Sequence, residues 1–312
     1  MTTPLLSDLR VTINGFTADC SSRFAPAEIR GLDDNPEVRA TDSPRPQGHG
    51  DHSGTDWMGP RFVEVDLSGV IELGSDLTED GSLMHLRRAL RIGPGELVVE
   101  GLAGLPPLLL RGKVRRASIP TDRDLAFGVA RPAFQFYCPD PLRYSASEVL
   151  LEVDLREKPT VAATTYASPV TYSASVPYKG AESDVTLVPI APPAAPPATP
   201  GGRAGLIGAL DAVNAGIYAT APVARVYGPA PPFTLLQGTT NRRWQYREAV
   251  AAEDYLEIDM KNHTVLLNGT ASRRQHMRGN WFDLQPGPNS VSYLPSGPAV
   301  GSWFQLRYRH AY

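Results

Sequence analysis

The sequence predicts a mainly β protein, on three observations. Apolar and polar residues alternate with period 2 in many short runs, only one stretch carries helical spacing, and turn-forming residues separate the runs. The chain holds 30 Pro and 28 Gly in 312 residues, which calls for frequent turns and short strands. Charged residues make up 20%, a globular proportion, and the length suffices for two domains with a core each.

The first half reads as strands around one helix. Residues 9–14 (LRVTIN) alternate and stop at Asn14-Gly15, a tight-turn dipeptide. A short strand is expected near 28–32, followed by a long loop through RPQGHGDHSGTDWMGPR, and 62–71 alternates cleanly. The helix is expected to start at Thr78 or Ser82 and to end before Gly93-Pro94. Leu83, Leu86 and Leu90 recur at i, i+3 and i+7, and Arg87, Arg88 and Arg91 complement the dipole at its C-terminal end. Strands follow at 97–101, 108–118 and 124–136, with Gly93-Pro94-Gly95 read as a turn. Cys138-Pro139-Asp140-Pro141 interrupts pairing with two prolines and marks a domain boundary, giving domains 1–143 and 144–312.

The second half opens with an alternating run at 148–155, and further strands are expected near 161–172 and 184–188. The run PIAPPAAPPATPGGR, with a Pro/Ala-rich loop at 189–203, cannot enter a ladder and reads as an extended projecting loop. Strands resume at 222–226, 233–237, 243–246 and 255–260. The last stretch, 255–312, alternates at Leu256/Ile258/Met260, Val265/Leu267, Val291/Tyr293 and 303–308, with Asn268-Gly269 and QPGPN as turns and Trp281, Phe282, Trp303 and Phe304 at the strand edges.

Chemistry is sparse. The net charge of −3 and pI near 6.1 supply no basic field for nucleic acid or an anionic membrane, and the basic runs at 111–116 and 273–274 are short, reading as solvated strand ends or a subunit contact. No apolar run approaches the ~20 residues of a membrane span, and MTTPLLSDLR is not built as a secretion signal, so synthesis and assembly in a cytoplasm are expected. Cys20 and Cys138 have no metal-ligand spacing and read as reduced. His49 and His52 share one Gly-rich loop with Asp51 and Asp56, a set that lacks the third or fourth converging ligand a zinc site needs, and so reads as a loop that orders on a partner. No nucleophile elbow, zincin motif or phosphate loop occurs. The expectation is a protein without enzymatic activity, cofactor or metal. The aromatics of the second half leave one alternative open, a sugar-stacking face that includes Trp281 and Trp303.

The order of these features resembles the distal tail protein (Dit) family of long-tailed, siphovirus-type bacteriophages. In the first half the resemblance rests on the N-terminal strand, Gly48-His49-Gly50 and Gly59-Pro60-Arg61 before the 62–71 strand, the single helix, and Asp140-Pro141 with Tyr144. In the second it rests on LEID at 256–259, VLLNG at 265–269, WFDLQPG at 281–287 with Asn289, and the closing LRYR at 306–309. The pattern WFxLxPGxN is its most specific part.

The resemblance implies an N-terminal β-barrel or sandwich-like ring domain with one α-helix, followed by a galectin-like, carbohydrate-module-like β-sandwich. It further implies a structural virion protein of the tail tip or baseplate: a homo-hexameric ring joining the tail tube to the host-recognition apparatus. Its partners would be the tail tube, tape measure and tail hub or fibre proteins. Within that picture the loop carrying His49, His52, Trp57 and Arg61 is expected at a subunit or tube contact. The competing expectation is a carbohydrate-binding module engaging host-surface polysaccharide.

Overall fold

The computed structural model describes residues 9–44, 51–71, 83–102, 104–154, 208–297, 299 and 301–312. The expected strands at 161–172 and 184–188, the 189–203 loop, His49 and the expected helix start at 78–82 lie outside the described residues. The described chain is mostly strand, and it divides into two compact units: residues 1–149 with 214–220 and 309–312, and residues 150–213 with 221–308.

The first unit starts with a hairpin, β1 (Arg10–Ile13) and β2 (Phe16–Ala18). Asn14 and Gly15 turn it with φ of 46° and 86°, which Asn tolerates and Gly adopts freely. Strand β3 (Phe24–Arg30) precedes a thin ribbon of short strands: β4 (Val38–Arg39), β5 (Ser43–Pro44), β6 (Asp51–His52) and β7 (Trp57–Met58). Antiparallel pairing of β4 with β7 and of β5 with β6 gives the long loop of the sequence a paired backbone. Next comes β8 (Arg61–Val70), where Val63, Val65 and Leu67 face the core and Glu64 and Asp66 face out.

Helix α1 (Leu83–Ala89) buries Leu86 and Ala89. Strand β9 (Gly93–Glu100) begins at the Gly93-Pro94-Gly95 expected to be a turn. The three residues pair instead with β10 (Leu108–Ser118), Gly95 opposite Gly112. Proline is tolerated there because β1 pairs β9 only from Leu97 to Glu100, so among the described residues Pro94 has one side with no strand to bond. The expected strand at 124–136 is also corrected. Its start is α2 (Arg123–Ala126), capped by the Asp122 carboxylate accepting from Leu125 N–H at 3.0 Å, and Gly128 (φ 86°) redirects the chain into β11 (Val129–Ala130) and β12 (Ala133–Cys138). A local cap outweighed a weak alternation. Strand β13 (Tyr144–Ser145) closes a nine-stranded sheet ordered β11-β8-β12-β10-β9-β1-β2, with β3 on β8 and β13 on β10. Its core gathers Val11, Ile13, Phe16, Phe24, Val63, Val65, Leu86, Leu97, Val99 and Phe136.

The second unit is two sheets. Strands β14 (Val149–Asp154), β15 (Ala209–Asn214), β16 (Val223–Tyr227), β17 (Phe233–Gln237), β18 (Arg242–Tyr246) and β19 (Tyr255–Asp259) come first. They are followed by β20 (Thr264–Leu267), β21 (Ala271–Ser272), β22 (Met277–Gly279), β23 (Gly287–Pro295) and β24 (Trp303–Tyr308). One sheet runs β14-β24-β16-β19-β20-β21 and the other β15-β23-β17-β18-β22. Among aliphatic neighbours their buried residues include an aromatic cluster: Phe233 meets Trp244, Tyr246 and Tyr293 at ring distances of 6.2, 5.7 and 5.3 Å, and Tyr293 stacks on Phe304 at 5.4 Å.

Candidate interaction surfaces

The ribbon β4–β7 is held at its root by two buried arginines. Arg61, 6% exposed, donates through Nη1 to the carbonyls of Gly31 (2.9 Å), Leu32 (2.9 Å) and Asp34 (2.6 Å), and through Nε to that of Pro141 (2.8 Å). Arg143 donates to Leu32 O at 3.2 Å and to the Asp33 carboxylate. Burial, then the neighbouring Arg143 charge, pull the Arg61 pKa down, and burial pushes the Cys138 thiol beside it up to about 12, so the thiol stays neutral. Gly31 is required there: φ is +74° and an added Cβ would sit 2.0 Å from Phe62 O. Arg61 is thus an anchor spent on carbonyls within the unit. Beyond the anchor, the ribbon exposes apolar groups: Trp57 at 64%, Val38 at 55% and Met58 at 41%. His52 contributes backbone pairing opposite Ser43.

A second anchored region of the first unit joins three distant segments. Arg143 and Tyr312 exchange backbone bonds, Ser145 N–H donates to His310 O at 2.9 Å, Arg309 Nη1 donates to Ser145 O at 2.9 Å, and Ala311 bridges to Tyr144 and Tyr218. Gly216 is needed for that approach, since a Cβ there would lie 1.9 Å from Ala311 O.

The two tryptophans singled out as sugar-facing are half-buried and lie on protein. Trp281 stacks on His263 (4.8 Å, 18°), has Arg274 6.0 Å from its ring and tilts against Trp244. Trp303 stacks on Tyr227 (4.6 Å, 21°), opposite it in the β16–β24 ladder, and Tyr255 continues the row at 5.6 Å from Tyr227. This row stands on the outer face of its sheet beside Arg225, which pairs with Glu257 at 2.6 Å. The structure does not bring Trp281 and Trp303 into one contact.

The WFDLQPGPN stretch is a hydrogen-bonded node. Phe282 and Leu284 are buried. The Asn289 amide accepts from Gln285 N–H (2.8 Å) and Gln237 Nε2 (3.1 Å) and donates to Gln285 O (2.7 Å) and Gly287 O (2.9 Å). Every polar atom of a buried amide is satisfied, which explains the motif as structure.

Among the described residues, no group of three or more His, Cys, Asp or Glu is placed to hold a metal, and no helix is long and apolar enough to cross a membrane. The two cysteines are free, Cys20 exposed and Cys138 buried. A shallow depression is lined by Glu64, Asp66, Arg116 and Gln135, and two of its acids are paired with Arg30, Asp66 at 3.0 Å and Glu64 at 3.8 Å.

Residues 215–312 match the family described as siphovirus-type tail component, C-terminal domain. The whole chain is similar in fold to the Dit protein of phage SPP1, described as a paradigm of the hub adsorption apparatus in phages infecting Gram-positive bacteria. The likeness has a TM-score of 0.55 at 14% identity and covers 97% of this chain and 99% of that one. A chain of the phage P2 baseplate in its activated conformation aligns at TM-score 0.47 and 10% identity, over 96% and 97% of the two chains. No curated protein matches by sequence. The resemblance to the distal tail family and the mainly β fold expected from the sequence are borne out by the domain match and the SPP1 likeness.

Proposed function

We propose that the chain is a structural component of a phage tail tip, a distal tail or baseplate hub with no chemistry of its own. The observation that carries this is the tail-component domain at 215–312. In this reading identical chains close into a homo-hexameric ring by heterologous contacts repeated around an axis. The ribbon that exposes Val38, Trp57 and Met58 is the contact to a neighbouring subunit or to the tail tube, and Arg61 sets its root. The ring joins the tube and tape measure to the hub or fibre proteins, and it is assembled in the host cytoplasm before it resides in the virion.

The test is the solution mass and negative-stain image of the purified chain. Rings with a central channel are expected, and Trp57→Ala with Met58→Ala should leave folded monomers. A wild-type chain that stays monomeric at high concentration and in the presence of the tail tube protein defeats the hub reading. Glycan engagement at Trp281 and Trp303 draws less support, because one face of each ring is already stacked on protein. Glycan binding lost on Trp303→Ala in a folded chain is the result that would favour it.

A further inference from the structure

Exposed apolar side chains stand at both ends of strand β8. Ahead of its start lies the β4–β7 ribbon, where Val38 is directly opposite Met58 and both are exposed, while alternation puts the still more exposed Trp57 on the ribbon's other face. At its far end Val70, 67% exposed, stands directly opposite Val129 of β11, and Phe127, 72% exposed, precedes Val129 by two residues. Gly128 (φ 86°) makes the turn between them, and its carbonyl accepts from Ile71 N–H at 2.8 Å, which holds the turn against the end of β8. Ten residues of strand at ~3.3 Å each separate the two groups by roughly 30 Å.

Both groups also adjoin open strand edges. Among the described residues β4 and β7 pair only with each other, and β11 is the last strand of its sheet. Such edges take a further strand. The charges beside them are opposite in sign: exposed Asp56 precedes Trp57, and the Arg123 guanidinium lies over the Phe127 ring at 5.4 Å. Neither forms an ion pair with a described residue, since Asp122 is spent on its helix cap and Asp124 on Arg131 at 3.5 Å. The other described charges follow the same balance, Glu37 and Asp42 against Arg39 on the ribbon, and Arg23 and Arg131 against Asp122 and Asp124 at the far end.

We propose that the patch of Val70, Phe127 and Val129 receives the β4–β7 ribbon of a second copy of this chain, so that successive copies join head to tail. A heterologous contact needs two different surfaces that fit each other, set apart on one subunit, and β8 sets these two apart along its length. An isologous dimer would need one surface complementary to itself, whereas each of these carries a charge balance of one sign. Contiguous exposed apolar patches mark interaction sites. An unrelated protein would cover one patch and leave the other in water; a second copy covers both at once. The proposal rests on the hub reading, in which the ribbon is a contact, and supplies the surface that receives it.

The experiment follows the mass of the full chain by light scattering over a concentration series and adds site-directed cross-linking. Where wild type assembles, W57D/M58D, which breaks the ribbon, and F127D, which breaks the receiving patch, are each expected to stay monomeric. On a Cys20→Ser background, a short bis-maleimide should link a chain carrying both Met58→Cys and Phe127→Cys into a ladder of covalent multimers. A chain with either of those cysteines alone should go no further than a dimer. D56R and R123D are each expected to raise the concentration of half-assembly roughly fivefold or more, and D56R/R123D together to bring it back within about twofold of wild type. With an assembling wild type, rings from F127D, no ladder from the double-cysteine chain, or no recovery in the double swap overturns this docking and leaves the hub reading standing. A wild type that stays monomeric even with the tail tube protein removes both. All the substituted positions are exposed, and circular dichroism checks that each variant is folded.

Discussion

Two sets of arginines, one in each unit, do opposite work. Arg61 and Arg143 of the first unit are buried and give their N–H groups to carbonyls and one carboxylate around the turn at 31–34. Arg243, Arg247 and Arg278 of the second are exposed on the β18–β22 edge without a carboxylate partner among the described residues. A guanidinium whose donors are already used fixes backbone geometry, whereas one whose donors meet only water remains able to meet an anion. The difference lies in the acceptors that the fold brings near, since the side chains are the same.

Four measurements break or sharpen that contrast. The largest effect is expected from Arg61→Met, which removes four hydrogen bonds at the ribbon's root and strands their carbonyls. It should cost about 3 kcal/mol or more, read by chemical denaturation; a loss under ~1 kcal/mol would mean that the carbonyls find water instead. Asn289→Ala removes the amide that closes the QPGPN loop and leaves Gln237 and Gln285 without it, with an expected loss of about 2–3 kcal/mol and a lowered melting temperature.

Third comes alkaline pH. The Cys138 thiol lies at about 12 in the fold against an ordinary 9.0. Its raised value contributes stability that is complete below pH 9 and is lost as pH rises toward 12, by up to ~1.4 kcal/mol per pH unit. Tyr246, Tyr293 and Tyr308, which burial also raises, add to the loss from their ordinary value of 10.0 upward. Denaturation between pH 9 and 10 should therefore steepen for wild type and flatten for Cys138→Ala. The smallest effect is that of R243Q/R247Q/R278Q on stability, expected within about ±0.5 kcal/mol. A loss beyond ~1.5 kcal/mol would show that those arginines hold structure after all, as Arg61 does.

The strands were legible where alternation was strong and the turn chemistry explicit. Strands β10 and β17 begin and end where the alternating runs do, and Asn14-Gly15 and Asn268-Gly269 adopt the positive φ that their residues favour. The reading failed where pattern and local bonding disagreed. Gly93-Pro94-Gly95 entered a strand because one side of it meets no strand among the described residues, and 122–126 wound into a turn of helix because Asp122 capped it. Trp57 was marked in the sequence as part of a contact loop, and it is the most exposed aromatic of the ribbon. Arg61 was marked with it, and no local signal told that its guanidinium turns inward to carbonyls at 31–34 and 141. The arginine face was missed for a related reason. Arg243, Arg247 and Arg278 are separated in the sequence, and only the β18–β22 pairing brings them to one face.

By itself, then, the sequence determined the mainly β class, most strand positions, the tight turns and the resemblance to the distal tail family, because each rests on contacts within a few residues or on a linear motif. The tertiary structure alone decided which arginines are anchors and which are free to bind, and that 214–220 and 309–312 return to the first unit. Those outcomes depend on acceptors and backbone partners tens to hundreds of residues away in the chain, as with Arg309 on Ser145 and Tyr312 on Arg143. Periodicity records which face of a strand is buried; it does not record what lies against it.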